Sequence, residues 1–248
     1  MLHDGTRAVV VDPGAATPVQ QALDDRGLAL AAILVTHHHA DHAGGVDALR
    51  PRLEGPVWGP AREPIPAPYT PLVDGERIEV LGVRFEVLAV PGHTAGHIAY
   101  LEVPGPGRGT ATGAGPLLFC GDTLFCAGCG RLFEGTPAQM TASLARLAAL
   151  ADETRVCCAH EYTLANLRFA AAVEPDNAER ASFEAACQAL RAAGLPTLPS
   201  SIVRERAINP FLRCGEPAVV AAARAHGAED DAAVAVFAAL REWKNRYR

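Results

Sequence analysis

The chain has 248 residues, 49% of them hydrophobic, and carries 22 Lys+Arg against 28 Asp+Glu, a net charge of −6. That is enough apolar chain to bury a full core in one or two domains, yet the mean hydropathy is only +0.10 and no apolar run approaches the ~18 residues of a membrane span. The acidic balance gives no footprint for nucleic acid, and the start Met-Leu-His-Asp-Gly lacks the basic and apolar segments of a secretion signal, so a cytoplasmic protein with no membrane partner is expected.

The first informative element is the apolar run Ala31 to Val35, which reads as a buried strand. It leads into Thr36-His37-His38-His39-Ala40-Asp41-His42 and then Ala43-Gly44-Gly45, a loop that leaves a strand and enters a helix. His37, His39, Asp41 and His42 can all bind metal, and imidazole plus carboxylate without thiolate suits a divalent ion that keeps a water. A His-rich tract can also be a solvated turn or a tag. A tag would be terminal and would lack the strand before it and the Asp-His after it.

Residues 78 to 90 alternate as Ile78/Val80 and Val83/Phe85/Val87/Ala89 around Gly82, a half-buried hairpin with Glu79, Arg84 and Glu86 outward. It ends in Pro91-Gly92-His93-Thr94. A Gly/Pro/Thr-rich stretch from Pro104 to Pro116 reads as a flexible surface insertion. The runs Pro116–Cys120 and Arg155–Ala159 end in Gly121-Asp122-Thr123 and His160-Glu161-Tyr162. Each strand thus delivers a ligand-type residue at its end, where active sites of layered folds gather. Singly these residues mean little. Together His37, His39, Asp41, His42, His93, Asp122 and His160 exceed what one ion needs and fit two, with a bridging carboxylate.

Thr136-Pro137 announces a helix through Met140, Leu144 and Leu147. After Tyr162 the chain turns Ala-rich and helical, roughly over 163–173, 176–193, 216–226 and 230–246, with Pro/Gly breaks between. Seven cysteines cannot all pair within one chain. Cys157-Cys158 would point to opposite faces of a strand. Cys126-Ala127-Gly128-Cys129 has redox spacing in a Gly-rich loop, but free thiols in a reducing compartment are the favoured reading.

The pattern His37-x-His39-x-Asp41-His42, followed by Gly121-Asp122 and His160, resembles the metallo-β-lactamase superfamily. The stretches PGHTAGH (91–97), GDTLFCAGCGRLFEGTPAQM (121–140), AHEYTLANLRFA (159–170), INPFLR (208–213) and LREWK (240–244) are similar to glyoxalase II, the hydroxyacylglutathione hydrolases. The resemblance runs from about Val9 to the C-terminus. It implies an α+β fold, an αββα sandwich over 1–162 acting as the catalytic domain, and a helical glutathione-binding domain over 163–248. It also implies His37, His39 and His93 on a first metal, Asp41, His42 and His160 on a second, and Asp122 bridging. Zinc is the first candidate for both ions, with iron or manganese as alternatives.

The implied reaction is hydrolysis of S-D-lactoylglutathione to glutathione and D-lactate by a metal-bound hydroxide, the reaction of methylglyoxal degradation. Asp41 and Asp122 would be catalytic as well as ligating. Glutathione carries carboxylates, so its surface should be locally cationic. By the resemblance Arg131, Tyr162, Arg241 and Lys244 would hold it. Arg241 and Lys244, the only lysine, lie three residues apart on one helix face; without the resemblance they read as a solvated helix end. Phe133 stands where some relatives have Tyr. Family members usually have a strand before the segment matching Ala8–Gly14; with only Met1 to Arg7 there, either the start of the chain is assigned late or that edge strand is missing. His38 should point away from its neighbours, His97 should be a structural hydrogen-bond partner, and His3 and His226 should be surface residues without company.

Other readings are a lactonase, β-lactamase or different thioesterase on the same cradle, a mononuclear-iron persulfide dioxygenase, and a non-catalytic binding protein. The RxxK helix weighs against the first group, intact Asp41-His42 against the second, and the full ligand set against the third. A monomer is expected.

Overall fold

A computed structural model describes residues 1–103, 110–111 and 113–247. Of the expected insertion at 104–116, residues 104–109 and 112 lie outside the described residues. The chain divides into two compact units, Met1–Ala89 with Ala95–Gly121, and Val90–Thr94 with Asp122–Arg248.

The first unit contains β1 (Leu2–His3), β2 (Arg7–Val11), α1 (Ala16–Asp24), β3 (Ala29–Leu34), α2 (Ala40–Ala43), α3 (Val46–Leu49), β4 (Val57–Pro60), β5 (Thr70–Leu72), β6 (Arg77–Val80), β7 (Val83–Ala89), β8 (Ile98–Glu102) and β9 (Leu117–Phe119). β1 to β5 form one sheet in that order. β1 pairs antiparallel with β2, while β2 through β5 run parallel. An edge strand does precede β2, which corrects the alternative in which it is missing: the two residues of β1 pair Leu2 with Val9 and His3 with Ala8. β6 to β9 form an antiparallel meander, with the hairpin turned at Leu81–Gly82 as the alternation indicated.

β2 and β3 are buried on both faces, which explains their unbroken apolar runs. One face sends Val9, Ala32 and Leu34 into a core shared with Ile78, Val80, Phe85, Val87, Ile98 and Tyr100 of the meander. The other sends Ala8, Val10, Leu30 and Ile33 against Leu23 of α1 and Val46 and Leu49 of α3. Tyr100 is fully buried and donates its hydroxyl hydrogen to the Val35 carbonyl at 3.0 Å, so its polar tip is satisfied inside the sandwich. The buried Glu102 accepts from the Ala111 and Leu117 amides.

The second unit contains β10 (Leu124–Phe125), β11 (Gly128–Cys129), α4 (Pro137–Ala148), β12 (Arg155–Val156), α5 (Thr163–Val173), α6 (Ala178–Ala192), β13 (Ser200–Ser201), α7 (Ile202–Ile208), α8 (Pro217–Ala225) and α9 (Ala233–Arg246). α4 opens as anticipated: Thr136 and Gln139 form a reciprocal capping box ahead of Pro137. α5, α6, α8 and α9 fall close to the expected spans. α7 was not anticipated. It is short, and it is held by tertiary contacts rather than by periodicity. Its fully buried Glu205 accepts from the Ala127 amide at 2.8 Å, Asn209 Nδ2 at 3.0 Å and Ser200 Oγ at 2.5 Å, tying the β10–β11 turn and β13 to the helix. Burial pushes that carboxyl pKa up.

β12 is also shorter than expected. It ends at Val156, so Cys157 and Cys158 lie in the loop beyond it; Cys158 is nonetheless buried and Cys157 half-buried. His226 is exposed but not without company, because its ring stacks on Trp243 at 3.5 Å and its Nδ1 meets the Ala222 carbonyl at 2.8 Å.

Candidate metal centre

Candidate ligands occur in both units: His37, His39, Asp41 and His42 in the first, and His93, Asp122 and His160 in the second.

In the first unit β3 ends at Leu34, the chain bends at Thr36 and His37, and α2 begins at Ala40. His37 and His39 turn their rings toward each other, whereas His38 turns to Glu63. His37 Nε2 lies 3.1 Å from His39 Nδ1. The turn of α2 brings the His42 ring to 4.0 Å from that of His37, and puts His42 Nε2 3.8 Å from Asp41 Oδ2. His37 and His42 are buried, whereas the Asp41 side chain is 64% exposed.

Asp12, the residue that follows β2, organises this group. Its Oδ2 accepts from Thr36 Oγ1 at 2.7 Å and faces His42 Nδ1 at 3.0 Å, and its Oδ1 accepts from the Thr36 amide at 2.7 Å. Thr36 Oγ1, having donated to Asp12, is the acceptor for His37 Nδ1 at 3.1 Å. This network assigns the proton to Nδ1 of both His37 and His42 and leaves each Nε2 as a lone-pair donor. The available signal was an acid at the end of a buried strand, but its partners lie 24 and 30 residues away.

His38 turns away from the ligands as expected and engages Glu63. His97 is fully buried and stacks on His37 with centroids 4.6 Å apart. His3 is exposed.

In the second unit Asp122 follows β9 and is nearly buried. Its Oδ2 lies 3.6 Å from His93 Nε2 and its Oδ1 3.5 Å from His160 Nε2. Two donors on one tetrahedral ion, each at the usual N or O bond length, sit about 3.4 Å apart. The carboxylate therefore turns one oxygen to each imidazole at a separation a divalent ion would span. His93 Nδ1 donates to the Arg131 carbonyl at 2.8 Å, again freeing Nε2. Gly130 permits this approach: a Cβ there would lie 1.9 Å from the Asp122 carbonyl oxygen and 3.1 Å from His93 Nδ1. The His160 ring stacks on Tyr162 at 5.2 Å, and Phe133 meets the His93 ring edge-on at 5.3 Å.

The donor set is all nitrogen and oxygen. The cysteines are free thiols, and burial pushes Cys158 and Cys214 up to about 12 and Cys126 and Cys129 higher than usual as well, which suppresses thiolate. Imidazole and carboxylate donors with fixed tautomers fit a divalent metal.

The expected glutathione contacts all fall in the second unit. Arg131 and Tyr162 are exposed. Arg241 is buried: its Nη1 donates to the Cys129 carbonyl at 2.9 Å, and the guanidinium lies over Phe211 at 5.2 Å. Its role is thus partly to tie α9 to the β10–β11 hairpin. Lys244 Nζ donates to the Ala165 carbonyl at 3.1 Å and lies 5.3 Å from the Phe169 ring centroid. Burial, then the cations Arg241, Arg168 and Arg131, pull the Lys244 pKa down to about 8. Arg131, Arg241 and Lys244 have no carboxylate partner among the described residues.

Residues 1–160 match the family model of the metallo-beta-lactamase superfamily, and residues 161–247 match that of the hydroxyacylglutathione hydrolase C-terminus. Among solved structures, ETHE1 from Myxococcus xanthus is similar at 28% identity and TM-score 0.60, over 86% of this chain and 77% of that one. The B3 metallo-beta-lactamase BLEG-1 shares the fold at 24% identity and TM-score 0.59, over 86% and 91%. The chain is a metallo-β-lactamase superfamily protein of the α+β class. Within that class it belongs to the hydroxyacylglutathione hydrolases. It is 56% identical to the hydroxyacylglutathione hydrolase of Albidiferax ferrireducens over all of this chain and 94% of that one, and 56% identical to that of Cupriavidus taiwanensis with the same coverage.

Proposed function

We propose that this chain hydrolyses S-D-lactoylglutathione to glutathione and D-lactate with two divalent ions, zinc being the first candidate. The observation that carries the choice of substrate is the match of residues 161–247 to the hydroxyacylglutathione hydrolase C-terminus, the part that a lactamase cradle alone would not supply. His37, His39 and His93 would hold one ion, Asp41, His42 and His160 the other, with Asp122 offering an oxygen to each. The orientation of both Asp122 oxygens toward imidazole nitrogens supports the bridging role.

Bound ions of this kind make hydroxide available near neutral pH and stabilise charge developing on a carbonyl oxygen. The side chains do the rest. Asp41, at the exposed start of α2, would orient the attacking oxygen toward the thioester carbon. Arg131, Arg241 and Lys244 would hold glutathione carboxylates, with Tyr162 beside them. The new carbon–oxygen bond forms first and puts charge on the carbonyl oxygen; the carbon–sulfur bond then breaks as the carbonyl re-forms. The departing thiolate has a conjugate acid of pKa near 8.5 and needs no dedicated proton donor.

Residues 1–162 would be the catalytic domain and 163–248 the glutathione-binding domain; the two family matches meet between residues 160 and 161. A cytoplasmic monomer without nucleic-acid or membrane partners completes the proposal, and no described helix is long and apolar enough to cross a membrane. The test is to supply S-D-lactoylglutathione and, separately, glutathione persulfide. Thioester loss without oxygen uptake is expected. Oxygen uptake with the persulfide and no thioester loss would overturn the proposal.

A further inference from the structure

His37 and His39 flank a residue that points away from them, and that residue is held. Glu63, in the loop after β4, has a side chain only 2% exposed. Its Oε2 accepts from the His38 amide at 2.6 Å and faces His38 Nδ1 at 2.9 Å, while its Oε1 accepts from the Gly96 amide at 3.0 Å. Short bonds of this kind to an ionised acceptor are the strong ones, and they offset the cost of burying the charge. Gly96 immediately precedes His97, the ring stacked on His37. A Cβ at Gly96 would lie 2.5 Å from Glu63 Cγ, so the two segments meet at closest approach.

We propose that Glu63 is a positioning residue for metal binding: through residue 38 it sets how His37 and His39 converge, and through Gly96 it fixes the ring that backs His37. The inference rests on the reading that His37 and His39 ligate metal. The rationale is geometric. The two ring nitrogens stand 3.1 Å apart, and only the peptide at residue 38 lies between the residues that carry them. Releasing that peptide lets the pair splay, and a pair that must be re-ordered on each binding event holds an ion less tightly. Asp12 governs the tautomers of His37 and His42; Glu63 governs the spacing of His37 and His39.

The test compares the native chain with Glu63→Ala, Glu63→Gln and His38→Ala by zinc content, by titration against a competing chelator, and by Tm with and without zinc. Glu63→Ala should weaken zinc retention about 10–100-fold, the range for loss of an outer partner, and should shrink the zinc-induced rise in Tm more than it lowers the metal-free Tm. Glu63→Gln keeps the shape but sets an amide NH₂ against a backbone N–H, and should fall between. His38→Ala leaves the amide contact of residue 38 intact and should stay close to native. If Glu63→Ala does not fold, Glu63→Gln carries the test. Native chelator midpoints and an undiminished zinc-induced rise in the Glu63 variants would overturn the proposal. A native chain that holds no zinc would instead overturn the metal reading, and the role of Glu63 with it.

Discussion

The two units support their ligands by different means. In the first, buried carboxylates stand behind the histidines: Asp12 faces His42 and, through Thr36, His37, while Glu63 holds the segment between His37 and His39. In the second, His93 leans on a main-chain carbonyl, that of Arg131, and His160 lies against the ring of Tyr162. A carboxylate raises the basicity of the imidazole it faces and can be removed by one substitution; a carbonyl cannot. The first unit should therefore be sensitive at residues that touch no metal, and the second chiefly at the ligands themselves.

The largest effect should come from the second unit. Asp122→Ala removes the carboxylate facing two imidazoles, and it should lower metal content and cut turnover more than the 10–100-fold typical of an outer partner. Normal turnover by this variant would refute the bridging role. Next should be Asp12→Asn. Asp12 sits at φ 51, a conformation Asn tolerates, so the fold should persist. Asn keeps only one of the two acceptor oxygens, so an NH₂ must face either the Thr36 amide or the Thr36 hydroxyl and His42, and metal affinity should drop about 10–100-fold. Retained affinity, read by chelator titration, would erase the contrast between the units.

Smaller changes are expected at the cations. Lys244→Ala should raise KM with little change in kcat, as loss of uniform binding does. Arg241→Ala should do the same and also lower Tm, because its contact with the Cys129 carbonyl is lost. Lys244 is held down to about 8 from its usual value of 10.5. Its ammonium, and with it the hold on a carboxylate, should therefore fade as pH rises through about 8, and KM should climb there in the native chain but not in Lys244→Ala. The same depressed pKa means the folded state binds fewer protons than the unfolded one between those values, so this group's contribution to stability grows as pH rises across that window. The smallest effect should be that of Phe133→Tyr. A restored hydroxyl is worth roughly 0.5–1.5 kcal/mol, so KM should fall by at most about tenfold; an increase would show that the ring's contact with His93 matters more.

The contrast between units also explains what the sequence revealed. The ligands of the first unit lie in six consecutive residues, and those of the second stand at strand ends, so residue type and local punctuation exposed them. Helices α5, α6, α8 and α9 were legible from composition and breaks. Asp12 and Glu63 were not, because their partners lie 24 to 33 residues away and each looks like an ordinary loop acid. α7 was hidden for a related reason: Glu205 makes its contacts with Ala127 and Ser200, outside the helix. β1 escaped because two residues carry no periodicity. The burial of Arg241 could not be read from the one-face spacing it shares with Lys244.

The most direct test of the account is metal content measured alongside S-D-lactoylglutathione hydrolysis through exhaustive chelation and re-addition of zinc. About two divalent ions per chain are expected, as a bridged pair requires, with activity lost on chelation and restored by zinc. A chain that turns over undiminished without metal would contradict it.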